Sequence, residues 1–229
     1  SGTVLKTVND VIVSNSSKNL GDQLTNIVKT LYDIGVREKL KCTPLWLPSI
    51  PKEIYLKDLI EKYQYKAEPY LINPLVGEYD IPMEQLQKPL IIDFSNVGNL
   101  LICGMTGSGK ENLLTTIIYS ICICHATEEV NFYLLDFGAE TLKAFQNFPQ
   151  VGNVILSDDI EKVVNVFTML DKEITKRKEL FSEFGGSYMS YIKESGKKLP
   201  LIITVLNAFE TYAESSDEYL DYFNALLRD

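Results

Sequence analysis

The sequence predicts an α/β fold in which a parallel sheet is flanked by helices, with a helical and proline-rich attachment in front of it. Three observations carry this. After residue 70, short apolar runs bounded by turn residues alternate with stretches of helical periodicity, the pattern of strand–helix–strand units. The runs 98–103 and 132–136 are nearly all apolar, as strands covered on both faces are. Finally, 45% apolar against 23% charged residues in a chain of 229 is a globular composition with material for a buried core. The expected division is residues 1–70 for the attachment and 71–229 for the α/β core.

The elements follow in order. Val4, Val8, Val11 and Ile12 recur at helical spacing up to the break at Ser14-Asn15-Ser16-Ser17. Leu20, Leu24, Ile27, Val28, Leu31 and Ile34 make a second amphipathic stripe that ends near Gly35. Pro44, Pro48 and Pro51 hold the next segment extended, with Leu45, Trp46, Leu47 and Ile50 placed to lie along a neighbouring surface. Runs 75–79 and 90–94 flank turn material between Pro82 and Pro89 and read as a strand pair. A strand over 98–103 leads into a helix from Lys110 to about His125, and strands follow over 132–136 and 154–156. Ile160, Val163, Val164, Phe167, Leu170, Ile174, Phe181 and Phe184 mark one face of a helix over 158–184, where Asp158 and Glu161 have the capping-box offset. Lys172, Lys176, Arg177 and Lys178 are interspersed with Glu173 and Glu179, which makes a solvated face of them. A strand over 199–206 and a helix over 217–228 complete the alternation.

Charge and composition exclude several functions. The formal net charge is −9 and the sequence pI about 4.8, whereas nucleic-acid binders neutralise phosphates with a cationic face. No run of 18 apolar residues is present to span a bilayer. The start, Ser1-Gly2-Thr3-Val4-Leu5, has no basic and apolar leader pattern and reads as a piece excised from a longer chain. Cys42, Cys103, Cys122 and Cys124 lack the spacing of a metal site, and the only histidine, His125, closes an apolar helix. Buried reduced thiols and a capping histidine are the expectation, and zinc chemistry is excluded.

One motif carries chemistry. Gly104-Met105-Thr106-Gly107-Ser108-Gly109-Lys110 lies between an apolar run and a helix, the setting of a phosphate-binding loop. Glycines let successive backbone N–H groups turn inward, the helix N-terminus adds partial positive charge, and the lysine reaches the outer phosphates. The next position should carry a Ser or Thr hydroxyl for magnesium, but Glu111 stands there and repels phosphate charge. The second motif should be an apolar strand ending in Asp, for the metal, then Glu, for the attacking water. Leu201-Ile202-Ile203-Thr204-Val205-Leu206 is followed instead by Asn207-Ala208-Phe209-Glu210. Asn207 keeps an oxygen but no charge, Ala208 removes the base, and Glu210 comes too late without an irregular turn. No catalytic residue is assigned.

The runs Leu100 to Lys110, Phe132-Tyr133-Leu134-Leu135-Asp136-Phe137-Gly138 and Lys198-Leu199-Pro200-Leu201-Ile202-Ile203 resemble the FtsK/SpoIIIE group of ring-forming motor ATPases. More narrowly the chain is similar to a tandem ATPase module of the EssC/EccC family of type VII secretion. Phe148-Pro149-Gln150-Val151-Gly152 and the Glu after Lys110 most resemble the second module in Firmicutes, and the Trp46 segment resembles the connector before it. The resemblance implies a RecA-like phosphate-loop fold, weak ATP and Mg2+ binding at Gly104 to Lys110 with Glu111, and Asn207 at the degenerate metal position. It also implies sister ATPase modules of the same chain as partners, a possible hexamer, type VII export substrates and no nucleic acid. The location would be the cytoplasmic side of the cell membrane, reached only through other parts of the parent chain. In this class the strand after the second motif inserts between the two motif strands, so the sequence is expected to be a portion of a larger module, incomplete at its C-terminus. The departures at Glu111, Asn207 and Ala208 favour a degenerate structural or regulatory module. Two alternatives remain beside it: a competent ATPase using Glu111 or Glu210 in unusual roles, and a module that binds the tail of an export substrate.

Overall fold

Helical periodicity with Asp22 in the first turn and Arg37 in the last, both favoured by the helix dipole, gives α1 (Leu20–Arg37). A computed structural model describes this helix among residues 20–40, 46–215, 220–221 and 223–224 of the chain. The chain divides into two compact units, Ser1–Pro48 and Ser49–Asp229. The helix expected over residues 4–12 lies outside the described residues, as do Pro44 and Leu45. In the first unit the apolar stripe of α1 faces solvent, and Trp46 is 72% exposed, so the packing expected of that tryptophan is not observed.

The second unit opens with α2 (Leu56–Tyr63), an element the periodicity did not announce because it is only two turns long. It buries Leu59 and sends Lys62 and Tyr63 onto Glu78 of β1 (Leu75–Ile81), with Lys62 Nζ at 2.5 Å and Tyr63 Oη at 2.8 Å from Oε2. The hydrogen bond from Lys62 holds the Glu78 carboxyl below its ordinary pKa. β1 pairs antiparallel with β2 (Leu86–Ile91) through a single turn of 3₁₀ helix at Pro82–Glu84; a strand pair is there as expected, but its second strand runs through residues 86–89 read as turn material and ends at Ile91, not at Phe94. A four-residue helix, α3 (Phe94–Val97), follows.

The core of the unit is a parallel sheet with β3 (Val130–Asp136) between β4 (Val151–Leu156) and β5 (Leu201–Asn207). On one face lies α4 (Lys110–Cys124), whose Ile117, Ile118 and Ile121 pack on Phe132, Leu134 and Val205. On the other lies α5 (Ile160–Ser182), whose Val163, Phe167 and Leu170 meet Leu135, Ile155 and Tyr212 of α7 (Phe209–Ser215). Helices on both faces of a buried parallel sheet are the architecture the alternating pattern predicts. Arg177 ties α5 to the chain just ahead of β5, donating to Glu173 Oε1 and to the Pro200 carbonyl at 2.8 Å each. A further helix, α6 (Tyr188–Ser195), was hidden by its shortness; its start is marked by Ser187, whose hydroxyl accepts from the Ser190 N–H.

Two further expectations need correction. Residues 98–103 do not form a strand: Leu101 is 81% exposed and only Ile102 tucks against the core. A strand exists only where its N–H and C=O groups find a partner, and β3 has both edges taken by β4 and β5. The outer edge of β5 is open among the described residues, but 98–103 does not pair with it. The capping box at Asp158 and Glu161 does not form, because the N-cap is Asp159 and its carboxylate is taken by Lys162 at 2.8 Å. Directly after β5 a helix that the periodicity did not announce begins at Phe209, and the described residues of the expected span 217–228, which are 220, 221, 223 and 224, are helical.

Candidate functional site

The orientation of α4 fixes where the phosphate-loop segment lies. At the far end of α4, Gln150 Nε2 donates to the carbonyls of Cys122 and His125, and the Gln150 carbonyl accepts from Phe132 N–H at the start of β3. The C-terminus of α4 therefore sits at the amino ends of the strands. Its 15 residues reach roughly 22 Å, and the 7 residues of β3 roughly 23 Å. Lys110 and the loop before it thus stand at the carboxyl end of the sheet, the end where β3 and β5 finish in Asp136 and Asn207. Open α/β sheets bind ligands outside that end.

The loop has the backbone of an anion cradle. Gly107 and Gly109 take φ of +77° and +89°, a left-handed conformation that costs glycine nothing. Ser108 N–H donates to the Met105 carbonyl at 3.1 Å and closes the turn. A Cβ on Gly104 would fall 2.4 Å from Ser108 Oγ and 3.2 Å from Lys110 Cγ, so the loop folds back on its own first residue. Met105, Thr106 and Ser108 are exposed and Lys110 is half-covered, leaving the concave side open. Glu111 is exposed on the first turn of α4.

At the end of β5, Asn207 and Ala208 occupy a sharp corner. Ala208 has φ of +58°, the irregular turn that lets α7 start at once, and Glu210 is exposed on the first turn of α7. Asn207 does not stand alone. Its Nδ2 donates to Asp136 Oδ1 at 2.9 Å, across the register pair that joins the two strands. Asp136 is 1% exposed and also accepts from the N–H groups of Gly138 and Leu142, at 3.0 and 2.9 Å. The Asp136 side chain is the residue that motif reading passed over. The sequence shows two apolar strands that end in Asp136 and Asn207, but nothing in it says that these strands are neighbours in register.

The other polar candidates lie elsewhere. His125 caps the opposite end of α4, with Nδ1 2.7 Å from Glu129 Oε2. Cys122 is buried and its thiol is pushed up to about 12 by burial, whereas Cys103 is exposed, against the expectation of buried thiols throughout. Cys42 lies outside the described residues. Among the described residues no three His, Cys, Asp or Glu side chains converge on a metal position. None of their helices is long and apolar enough to cross a membrane.

Residues 63–216 match the FtsK/SpoIIIE family. The chain belongs to that family. Proteins similar to it include the type VII secretion system protein EssC of Staphylococcus aureus (strain Mu50 / ATCC 700699), 26% identical over 174 residues, which are 74% of this chain and 12% of that protein. The chain thus spans about an eighth of the length of that relative. Among solved structures, EssC (ATPases 2 and 3) from Geobacillus thermodenitrificans superposes with a TM-score of 0.68 at 24% identity, covering 80% of this chain and 34% of that one. Thermomonospora curvata EccC (ATPases 2 and 3), in complex with a signal sequence peptide, gives 0.58 at 26% identity, covering 71% and 31%. The fold is the FtsK-like phosphate-loop ATPase fold, and the chain is homologous to the ATPase domains of EssC and EccC.

The residues present fit a nucleoside triphosphate with Mg2+. The donors at the loop are backbone N–H groups and one ammonium, and the Ser108 and Lys110 side chains pack so close to Gly104 that no Cβ fits there. Glu111 and Asn207 add oxygen ligands of the hard type that Mg2+ takes.

Proposed function

We propose that this chain is a nucleotide-binding module of a type VII secretion ATPase whose own turnover of ATP is weak or absent. The observation that carries the reading is a loop with phosphate-binding backbone, Gly104 to Lys110, in a chain where Glu111, Asn207 and Ala208 stand in place of the hydroxyl and two carboxylates that hydrolysis uses. It would act by packing against sister modules of its parent chain and gating them, in a hexamer on the cytoplasmic side of the membrane. The similarity to EssC and EccC supports this setting.

Each residue has a stated part. The N–H groups of the loop and the first turn of α4 point partial positive charge at the phosphates. The Lys110 ammonium neutralises the outer phosphates as a point charge. Glu111, one residue on, opposes it, which weakens binding. Bound Mg2+ would supply charge neutralisation at the phosphates, and Asn207 would offer it an amide oxygen. Ala208 has no group to orient or deprotonate a water, and Glu210 sits exposed on the next helix, so binding proceeds without an efficient chemical step.

Calorimetric titration with ATP, with and without Mg2+, tests the proposal. A micromolar dissociation constant that is lost in Lys110→Ala, with negligible phosphate release, is the expected result. No binding would make the loop a relic and leave packing as the function. Rapid hydrolysis that vanishes in Lys110→Ala would establish the competent-ATPase reading. The signal-sequence peptide held by the T. curvata relative favours a second reading, in which this module takes the tail of an export substrate. Tail-peptide binding that survives Lys110→Ala would support it.

A further inference from the structure

We propose that Asp136 is a positioning residue of the phosphate-loop site: it turns the Asn207 amide so that the nitrogen faces inward and the oxygen is left for a divalent cation on bound nucleotide. The inference rests on the nucleotide-binding reading above and assigns a role to a buried carboxylate that this reading does not use. Three facts support it. The Asn207 Nδ2 to Asp136 Oδ1 bond of 2.9 Å settles which amide atom faces the carboxylate, because only the nitrogen can donate. Nδ2 also lies 3.5 Å from Thr141 Oγ1, a second acceptor on the same side, and no described donor meets Asn207 Oδ1. The carboxylate is itself immobile, since the Gly138 and Leu142 N–H groups hold both its oxygens and Phe137 N–H bonds the Asn207 carbonyl at 3.2 Å.

The pair also accounts for the amide at position 207. Asp136 is 1% exposed and shares a register line with Asn207, so a carboxylate at 207 would face a second buried carboxylate at hydrogen-bond distance. An amide satisfies Asp136 and still presents an oxygen. The negative charge absent at 207 is retained one strand away, behind the ligand atom, where it polarises the amide toward a more negative oxygen. Groups behind a metal ligand act in this way, and their loss costs about 10- to 100-fold in metal affinity.

The experiment measures ATP affinity of the full chain by calorimetry in Mg2+ and again in EDTA, for wild type, Asp136→Asn, Asn207→Ala and the exchanged pair Asp136→Asn/Asn207→Asp. In Asp136→Asn the charge behind Asn207 is lost and the new NH2 opposes one of the donors that the carboxylate accepts from, so the Mg2+-dependent gain in affinity is expected to fall about tenfold while affinity in EDTA holds within about twofold. The exchanged pair restores one amide–carboxylate bond with the charge at 207, and is expected to recover the Mg2+ gain. Asn207→Ala, which leaves the backbone bonds to Asp136 intact, is expected to lose that gain and covers the case in which Asp136→Asn fails to fold. A folded Asp136→Asn with an unchanged Mg2+ gain overturns the proposal, as does an unchanged gain in Asn207→Ala. Absence of ATP binding in the wild type is a separate result, which overturns the nucleotide reading itself.

Discussion

Glu111 is the residue at which sequence and site disagree most sharply, because a carboxylate suits a helix N-terminus and opposes a phosphate at the same place. Glu111→Thr is expected to tighten ATP binding in Mg2+ buffer by about five- to tenfold, and calorimetry reads it; equal or weaker affinity would sink the electrostatic account. Gly104 makes the complementary case. Gly104→Ala puts a methyl group 2.4 Å from Ser108 Oγ and 3.2 Å from Lys110 Cγ, both flexible side-chain atoms. The fold is expected to survive with a melting temperature within a few degrees of wild type, while ATP affinity falls at least tenfold as Ser108 and Lys110 are displaced. Residue types at these positions were legible from the loop pattern alone. Asp136 was not, since only the pairing of two strands 71 positions apart in sequence brings it to Asn207.

Elements hold the site at a distance. α4 carries the loop on its first turn and is seated through Ile118 and Ile121, both 0% exposed. Ile118→Ala is expected to cost about 2–5 kcal/mol in chemical unfolding and to weaken ATP binding besides, because the helix that carries Lys110 loses its seat. The clamp of α2 on β1 gives a pH signature. Glu78 has its pKa lowered, first by the hydrogen bond from Lys62, so its contribution is present above the unfolded carboxyl value near 4.3 and is lost as pH falls through the folded value. Glu78→Gln is expected to cost about 1 kcal/mol at neutral pH and to flatten the acid limb of thermal stability below about pH 5. A limb identical to wild type would mean that the clamp does not form in solution. Long periodic elements such as α5 were readable in the sequence, whereas α2 and α6, eight residues each, offer too few turns for a period to declare itself.

For the whole molecule, acidity limits the partners. With a net charge of −9 and no basic stripe, the chain is expected to elute from duplex-DNA resin at the lowest salt used, and salt-sensitive retention would contradict this. The sequence by itself determined the layered α/β order, a strand pair ahead of it, the phosphate-loop pattern and the residues that depart from it at 111, 207 and 208, because each is written in local periodicity or in residue type at fixed spacing. Tertiary structure alone decided the rest. It left residues 98–103 out of the sheet, since strand formation depends on a partner edge and not on apolar content. It denied Asp158 and Glu161 their cap by giving the Asp159 carboxylate to Lys162. And it joined Asp136 to Asn207, because register between parallel strands is set by the burial of whole faces, which no window of neighbouring residues contains.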